Sequence, residues 1–141
     1  MWVIAIAKHL TDLSILTYDE TLPTADCFIS YLPPSPDDAV MLTPVSGARP
    51  DPKFGYDAPS LQVMTRAVDY RAGEERAGLI YNELQSLRTL TLDEGGPDEV
   101  RLLDCQAVQA PAFYLGTDEN GRHKWSQNFD LDIAHPTLHR R

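Results

Sequence analysis

The sequence contains few basic residues, only two cysteines and no long apolar run, and each shortage narrows the class of protein. Twelve Lys and Arg residues against 21 Asp and Glu residues give a formal net charge of −9. That charge repels a phosphate backbone and disfavours a nucleic-acid binder with a basic patch. Cys27 and Cys105 are too few for a disulfide framework, so we expect free, buried thiols of a reducing compartment.

The length and apolar content indicate one soluble domain. A chain of 141 residues with 43% hydrophobic residues can bury a single core without disulfides or metals. The segment 1–7 is apolar, but Lys8 and His9 follow at once, and a membrane span needs about 20 apolar residues. We expect a single domain over 1–134, a short basic tail over 135–141, and no membrane partner.

The spacing of apolar residues predicts two helices. Val3, Ile6, Leu10 and Leu13 recur at three- and four-residue steps, which places them on one face of a helix over 3–13. A second apolar stripe over 72–88 predicts another helix, for which Asp69 is a candidate N-cap.

Strands are predicted where apolar and polar residues alternate. Alternation and β-branched content predict strands over the following ranges: 27–32, 39–43, 60–69, 100–108 and 125–133. We expect 60–69 to be the central strand. The order of elements indicates an α+β fold with one mixed, mostly antiparallel sheet covered on one face by two helices.

Two segments carry turn signals. Asn120-Gly121 is typical of a tight turn and predicts one long antiparallel hairpin over 100–133. The stretch 44–59 holds four prolines and two glycines and lacks periodicity, which predicts a projecting loop.

The residues that could carry catalysis or bind a metal lie in unfavourable contexts. No glycine-rich phosphate loop is present, and His135 and His139 are separated by Pro136 with no third ligand nearby. A Cys–His nucleophile would have to combine Cys27 or Cys105 with His9 or His123, all without an activating context. The carboxylates fall in turns or on a polar strand face: Asp37, Asp38, Asp51, Asp57, Asp130 and Asp132. We therefore predict no catalytic residue, no metal site and no cofactor.

Several short motifs follow one another along the chain. They are L-P-P-S-P-D-D-A-V at 32–40, L-T-P at 42–44 with Gly47, P-D-P-K-F-G-Y-D-A-P-S-L-Q-V at 50–63 with Arg66, L-G-T-D-E-N-G-R-H at 115–123 and N-F-D at 128–130. In these motifs the sequence resembles the bacteriophage minor capsid family, whose members include tail terminator proteins. The resemblance runs in order from Val3 to Ile133.

This resemblance implies a non-enzymatic protein of phage assembly. It implies a hexameric ring on the last ring of the tail tube protein, which stops tube growth and joins a head-side connector or stopper protein. Genomic DNA would meet the ring only in transit through the lumen. The protein would lie in the neck of the virion and, during assembly, in the host cytoplasm. A head-completion or minor capsid role in the neck is an alternative that the resemblance leaves open.

The segment 44–59 supplies our hypothesis for the assembly interface. Its basic and aromatic residues suit an interface, with one acidic residue beside them: Arg49, Lys53, Phe54, Tyr56 and Asp57. In the competing interpretation, the two aromatic rings fold back onto the sheet and seal the edge of the core. A generic interaction module and a small carboxylate-using enzyme remain the alternatives to a phage protein.

Overall fold

The computed structural model describes residues 1–22, 24–50, 53–136 and 139, and within them the chain forms two helices and seven strands. The elements are α1 (Trp2–Asp12), β1 (Cys27–Ile29), β2 (Ala39–Ala48), β3 (Tyr56–Ala67), α2 (Tyr70–Leu84), β4 (Leu90–Leu92), β5 (Val100–Ala107), β6 (Phe113–Thr117) and β7 (His123–Ala134). The predicted α+β class is confirmed.

The sheet is built around its two longest strands. The strand order is β1-β2-β3-β7-β5-β4, and β6 also pairs with β7. One side of β7 pairs with β3 along nearly its whole length, while its other side is divided between β6 and β5. Only β1 and β2 run parallel among these pairs, so the sheet is mixed and mostly antiparallel, as predicted.

Both helices cover the same face of the sheet. Except for Leu13, which lies beyond the end of α1 and is exposed, the predicted apolar stripe of α1 is buried in one core with Ile80 and Leu84 of α2 and the inward residues of the central strands. Within that core, Leu61 of β3 lies opposite Phe129 of β7, and both are fully buried. The alternation along β7 continues through Leu131 and Ile133, which confirms the core face predicted for this strand.

Helix α2 begins as predicted and ends earlier. The Asp69 carboxylate accepts a hydrogen bond from the Ala72 N–H at 3.1 Å, which confirms this residue as the N-cap. The helix stops at Leu84 rather than at residue 88. The cause lies in β5, because the Ser86 N–H donates to the carbonyl of Cys105 at 2.8 Å and draws the chain onto the sheet.

The predicted loop over 44–59 is much too long. Strands β2 and β3 pair across most of it, with Val45 opposite Ser60 and Ala48 opposite Ala58. The prolines misled the interpretation, since a bulge between Val45 and Ala48 lets the ladder run past this proline-rich stretch. The connection spans 49–55, of which residues 51 and 52 lie outside the described part of the chain.

The prediction of one long hairpin over 100–133 is also wrong, because the turn joins a different pair of strands. The turn at Asn120-Gly121 joins β7 to β6 rather than to β5, with the Gly121 N–H donating to the Asp118 carbonyl at 3.1 Å. Strand β5 pairs with the other half of β7. Strand β6 escaped prediction because its residues Phe113, Tyr114 and Leu115 are all exposed and give no alternating pattern.

The first strand and the tail also differ from expectation. Strand β1 ends at Ile29 instead of residue 32 and runs parallel to β2, so residues 30–38 form a crossover between the two strands. Strand β4 was missed because three residues are too short for a periodic signal. Of the tail, residues 137, 138, 140 and 141 lie outside the described residues, and the division at residue 134 stays a prediction.

We predict that Phe129→Ala lowers the free energy of unfolding by about 3 to 5 kcal/mol, since it removes a fully buried ring from the centre of the core. Trp125→Ala should cost a similar amount. Urea unfolding measures both. A variant as stable as the wild type would contradict the packing of β7 described here.

Candidate assembly surfaces

The first exposed aromatic surface is the end of the β2–β3 hairpin, which we call the hairpin tip and define as residues 48–50 and 53–57. The side chains of Phe54 and Tyr56 are 55% and 50% exposed. Their ring centroids lie 6.4 Å apart. Both rings therefore lie half-exposed beside each other rather than inside the core, and the basic residues Arg49 and Lys53 are exposed on the same tip.

The hairpin tip is held from below by the end of β7. The His135 N–H donates to the carbonyl of Gly55, and the His135 Nδ1 atom lies 2.8 Å from the Asp57 carboxylate. Strand β3 meanwhile places Tyr56 opposite Ala134. These contacts hold residues 55–57 against the end of β7, and all five residues of the predicted interface lie on this one end of the hairpin. Their role in assembly stays a prediction.

A second aromatic surface lies at the other end of the sheet, and sequence reasoning missed it. Helix α2, the segment 110–112 and strands β6 and β7 enclose a groove of about 640 Å³, which we call the aromatic groove. Its lining includes Tyr70, Glu74, Gly78, Pro111, Tyr114 and Trp125. Because these parts are distant in sequence, no local pattern could reveal the groove.

The walls of the aromatic groove are packed rings. The Tyr70 ring lies 5.3 Å from the rings of both Tyr114 and Trp125, measured between centroids, and the Tyr114 hydroxyl is 2.7 Å from Nδ1 of His123. The indole fits under α2 because residue 73 is glycine, where a Cβ would come within 2.2 Å of the Trp125 ring. The walls are thereby fixed by close packing.

The hydroxyl of Tyr70 in the wall of the groove has a raised pKa. Partial burial, the charge of Glu74 and a hydrogen bond to that carboxylate raise the pKa of the Tyr70 hydroxyl above its usual value. The hydroxyl therefore stays protonated, and Glu74 is an acidic residue in the lining of a groove with aromatic walls.

Two buried arginines hold the crossover between β1 and β2. Arg66 and Arg122 are 3% and 7% exposed. The Arg66 guanidinium donates to the carbonyls of Pro33 at 2.7 Å, Pro36 at 2.6 Å and Asp37 at 3.0 Å. Burial, followed by the nearby charge of Arg122, lowers the pKa of Arg66 from its usual value.

Arg122 extends the same cluster to the β6–β7 turn. Its guanidinium donates to the carbonyl of Pro34 at 2.6 Å and to the Asp118 carboxylate at 2.8 Å. Hydrogen bonds from the backbone and side chain of Arg122 lower the pKa of Asp118. We call Arg66, Arg122 and the crossover carbonyls the arginine cluster. It is a structural site, because the hydrogen bonds of both guanidinium groups go to the protein's own carbonyls and carboxylates.

The residues considered for catalysis are not assembled into a site. Burial raises the pKa of both Cys27 and Cys105 to about 12, so both thiols stay protonated in the core. Their candidate bases are engaged elsewhere, since His9 lies 2.7 Å from Glu83 and His123 contacts Tyr114.

The aspartates considered for acid–base catalysis are not assembled into a site either. Asp130 accepts a hydrogen bond from the Ser60 hydroxyl at 2.9 Å, on the sheet face that the helices leave uncovered, and Asp132 lies opposite Asp104 on the neighbouring strand. Asp37 contacts Arg122 at 3.4 Å, and the Asp38 carboxylate accepts from the Val68 N–H at 2.9 Å. The Asp51 candidate lies outside the described residues.

The described part of the chain holds neither a cluster of metal ligands nor a membrane-spanning helix. Among residues 1–22, 24–50, 53–136 and 139, no three His, Cys, Asp or Glu side chains come together as ligands for a metal ion. Neither described helix has the length and apolar character needed to cross a bilayer.

Comparison with solved structures identifies the type of fold. A chain of a solved structure titled "Virion of native gene transfer agent (GTA) particle" superposes with a TM-score of 0.61 at 14% sequence identity. The match covers 95% of this chain and 99% of that chain. The fold is therefore one that is found in a virion component.

The family model described as "Bacteriophage tail terminator protein" matches residues 9–134. Because this match covers most of the chain, the protein belongs to the bacteriophage tail terminator family and is a phage structural protein. No curated protein sequence matches the chain. The tail terminator resemblance seen in the sequence is confirmed.

We predict that Arg66→Ala lowers the free energy of unfolding by about 3 kcal/mol, because three carbonyls of the crossover lose their charged donor. Arg66→Lys should recover only part of this loss, since an ammonium cannot reproduce the planar fork. The control is Arg101→Ala at an exposed position, which should stay within about 0.5 kcal/mol of wild type in urea unfolding. Equal stabilities of the Arg66 and Arg101 variants would refute the role of the cluster.

Proposed function

We propose that this protein is the terminator ring of a phage tail, which caps the tail tube, stops its growth and presents a surface to the head-side connector. The observation that carries the proposal is the match to the tail terminator family over residues 9–134. In this proposal the protein acts in the neck of the virion as a hexamer and assembles in the host cytoplasm. It has no catalytic step.

The hairpin tip supports this proposal as an assembly surface. Phe54 and Tyr56 are aromatic residues of the kind that dominate interface energies, and both are half-exposed. The tip is tied to β7 through Gly55 and Asp57, so little conformational entropy is lost when it docks. We propose Arg49, Lys53, Phe54, Tyr56 and Asp57 as the assembly interface.

The sheet edges and the charge of the chain fit the same role. Strand β6 pairs with β7 along one side and carries exposed apolar residues, which favours coverage by a neighbouring subunit. The net charge of −9 weakens any grip on phosphates, as a channel for DNA in transit requires.

Electron microscopy of polymerising tail tubes tests the proposed ring. Added protein should form a ring of density at one end of each tube and should stop further growth. Native mass spectrometry of the capped tubes should give a closed cyclic oligomer. Binding to isolated head connectors without any effect on tubes would instead assign the protein to head completion and refute the terminator role.

We predict that Phe54→Ala with Tyr56→Ala abolishes tube capping while thermal stability stays near the wild-type value. The reason is that both rings contribute to docking more than to the core. The matched control is Tyr31→Ala, which removes a ring that is 59% exposed on the β1–β2 crossover. A large loss of melting temperature with normal tube length would show that the rings serve folding instead.

A further inference from the structure

We propose that the hairpin tip of one protomer docks into the aromatic groove of the next protomer, so that a second copy of this chain is the occupant of the groove. This inference rests on the proposed ring and assigns the two surfaces that would form it. It also gives a role to the aromatic groove, which neither the sequence nor the family match explains.

The positions of the two surfaces exclude contact within one chain. Tyr56 of β3 lies opposite Ala134 at one end of the β3–β7 ladder, and Ala67 lies opposite His123 at the other end. Strand β3 has 12 residues, which corresponds to about 36 Å at about 3.3 Å per residue. The tip of a protomer therefore cannot reach its own groove, whereas the tip of a neighbour can.

The shapes of the two surfaces are complementary. The tip projects two adjacent rings, Phe54 and Tyr56, and the groove is a cavity of about 640 Å³ with aromatic walls. Its floor is open at Gly78, where a Cβ would meet no atom within 4 Å. Aromatic rings pack favourably against other rings in edge-to-face or offset arrangements, which the walls formed by Tyr70 and Tyr114 offer.

Charge complementarity favours a second copy of this chain, rather than an unrelated acidic protein, as the occupant of the aromatic groove. At a net charge of −9, two protomers repel each other unless opposite charges meet where they touch. The tip carries the exposed cations Arg49 and Lys53, and Glu74 lies in the lining of the groove. The aromatic walls add a surface on which a cation is stabilised.

The contact has the symmetry that a ring needs. The tip and the groove are different surfaces at opposite ends of one ladder, so their contact is head-to-tail and leaves a free tip and a free groove on every open oligomer. Such an interface adds protomers until the rotation closes. A two-fold dimer with reciprocal contacts would use both surfaces but would close at two subunits, so it would give covalent dimers and no longer oligomers.

Engineered disulfides test the contact directly. One variant carries Lys53→Cys in the tip and Gly78→Cys in the groove, and each substitution is also made alone. Cys27 and Cys105 are buried and stay protonated, so they do not compete during mild oxidation. The double variant should give a ladder of covalent oligomers on capped tail tubes, and a mixture of the two single variants should give covalent dimers.

The control pairs Lys53→Cys with Glu94→Cys, an exposed residue between β4 and β5 that lies outside the groove. It should remain monomeric on denaturing gels. Dimers formed by Lys53→Cys alone would indicate a two-fold contact between tips and would overturn the proposal. The proposal would also be overturned if Lys53→Cys with Glu94→Cys gave as much covalent oligomer as Lys53→Cys with Gly78→Cys.

A blocking substitution gives a second, independent readout. Gly78→Leu places a side chain in the groove at a position where a Cβ meets no atom within 4 Å, and it replaces glycine in a helix by a better helix former, so the monomer should be at least as stable. Self-association should weaken about tenfold or more. Asn82→Leu adds the same side chain at an exposed position of α2 outside the groove and should change self-association little.

The two proposals fail in different ways. If tubes are capped by rings that do not cross-link through residues 53 and 78, and Gly78→Leu still forms rings, the contact proposed here is wrong and the terminator role stands. If the wild-type protein neither caps tubes nor forms rings at any concentration tested, both proposals fall together.

Discussion

The guanidinium of Arg66 determines how the first third of the chain reaches the sheet. Residues 30–38 must cross between two parallel strands, and the prolines of this crossover have no N–H and cannot continue a ladder. Their carbonyls still need donors once buried. Arg66 supplies donors to Pro33 and Pro36, and Arg122 supplies one to Pro34. Because Arg66 lies one residue before the end of β3 and Arg122 directly precedes β7, the crossover is fastened to both central strands.

The segments that carry the family resemblance meet at this cluster. The proline-rich segment 32–40, Arg66 and the turn 118–122 are far apart in sequence, yet they contact one another through the two guanidinium groups. The short proline and glycine motifs are individually unspecific. Their order along the chain is informative because it preserves a three-way contact on which the path of the crossover depends.

The sequence predicted the parts of the fold in which burial follows a strict period. Strand β7 alternates buried and exposed residues over its length, and α2 buries one stripe from a capped start at Asp69. Prediction failed where packing departs from that rule, as in β6, whose apolar residues are exposed. It also failed at 44–59, where a bulge accommodates prolines within a ladder. The hairpin tip was found from its own composition, whereas the aromatic groove arises only from the topology that brings α2 next to β6.

The β3–β7 ladder links the core to the proposed assembly. Its inner face carries Leu61 and Phe129 in the core, and its two ends carry the hairpin tip and the aromatic groove. A ladder that is paired on both sides bends little, so the distance and angle between the two surfaces are set by folding and not by binding. In the proposed ring, every pair of neighbouring protomers is therefore related by the same angle. The number of subunits at closure then follows from the twist of one pair of strands, and changes in the loops would alter affinity before they altered symmetry.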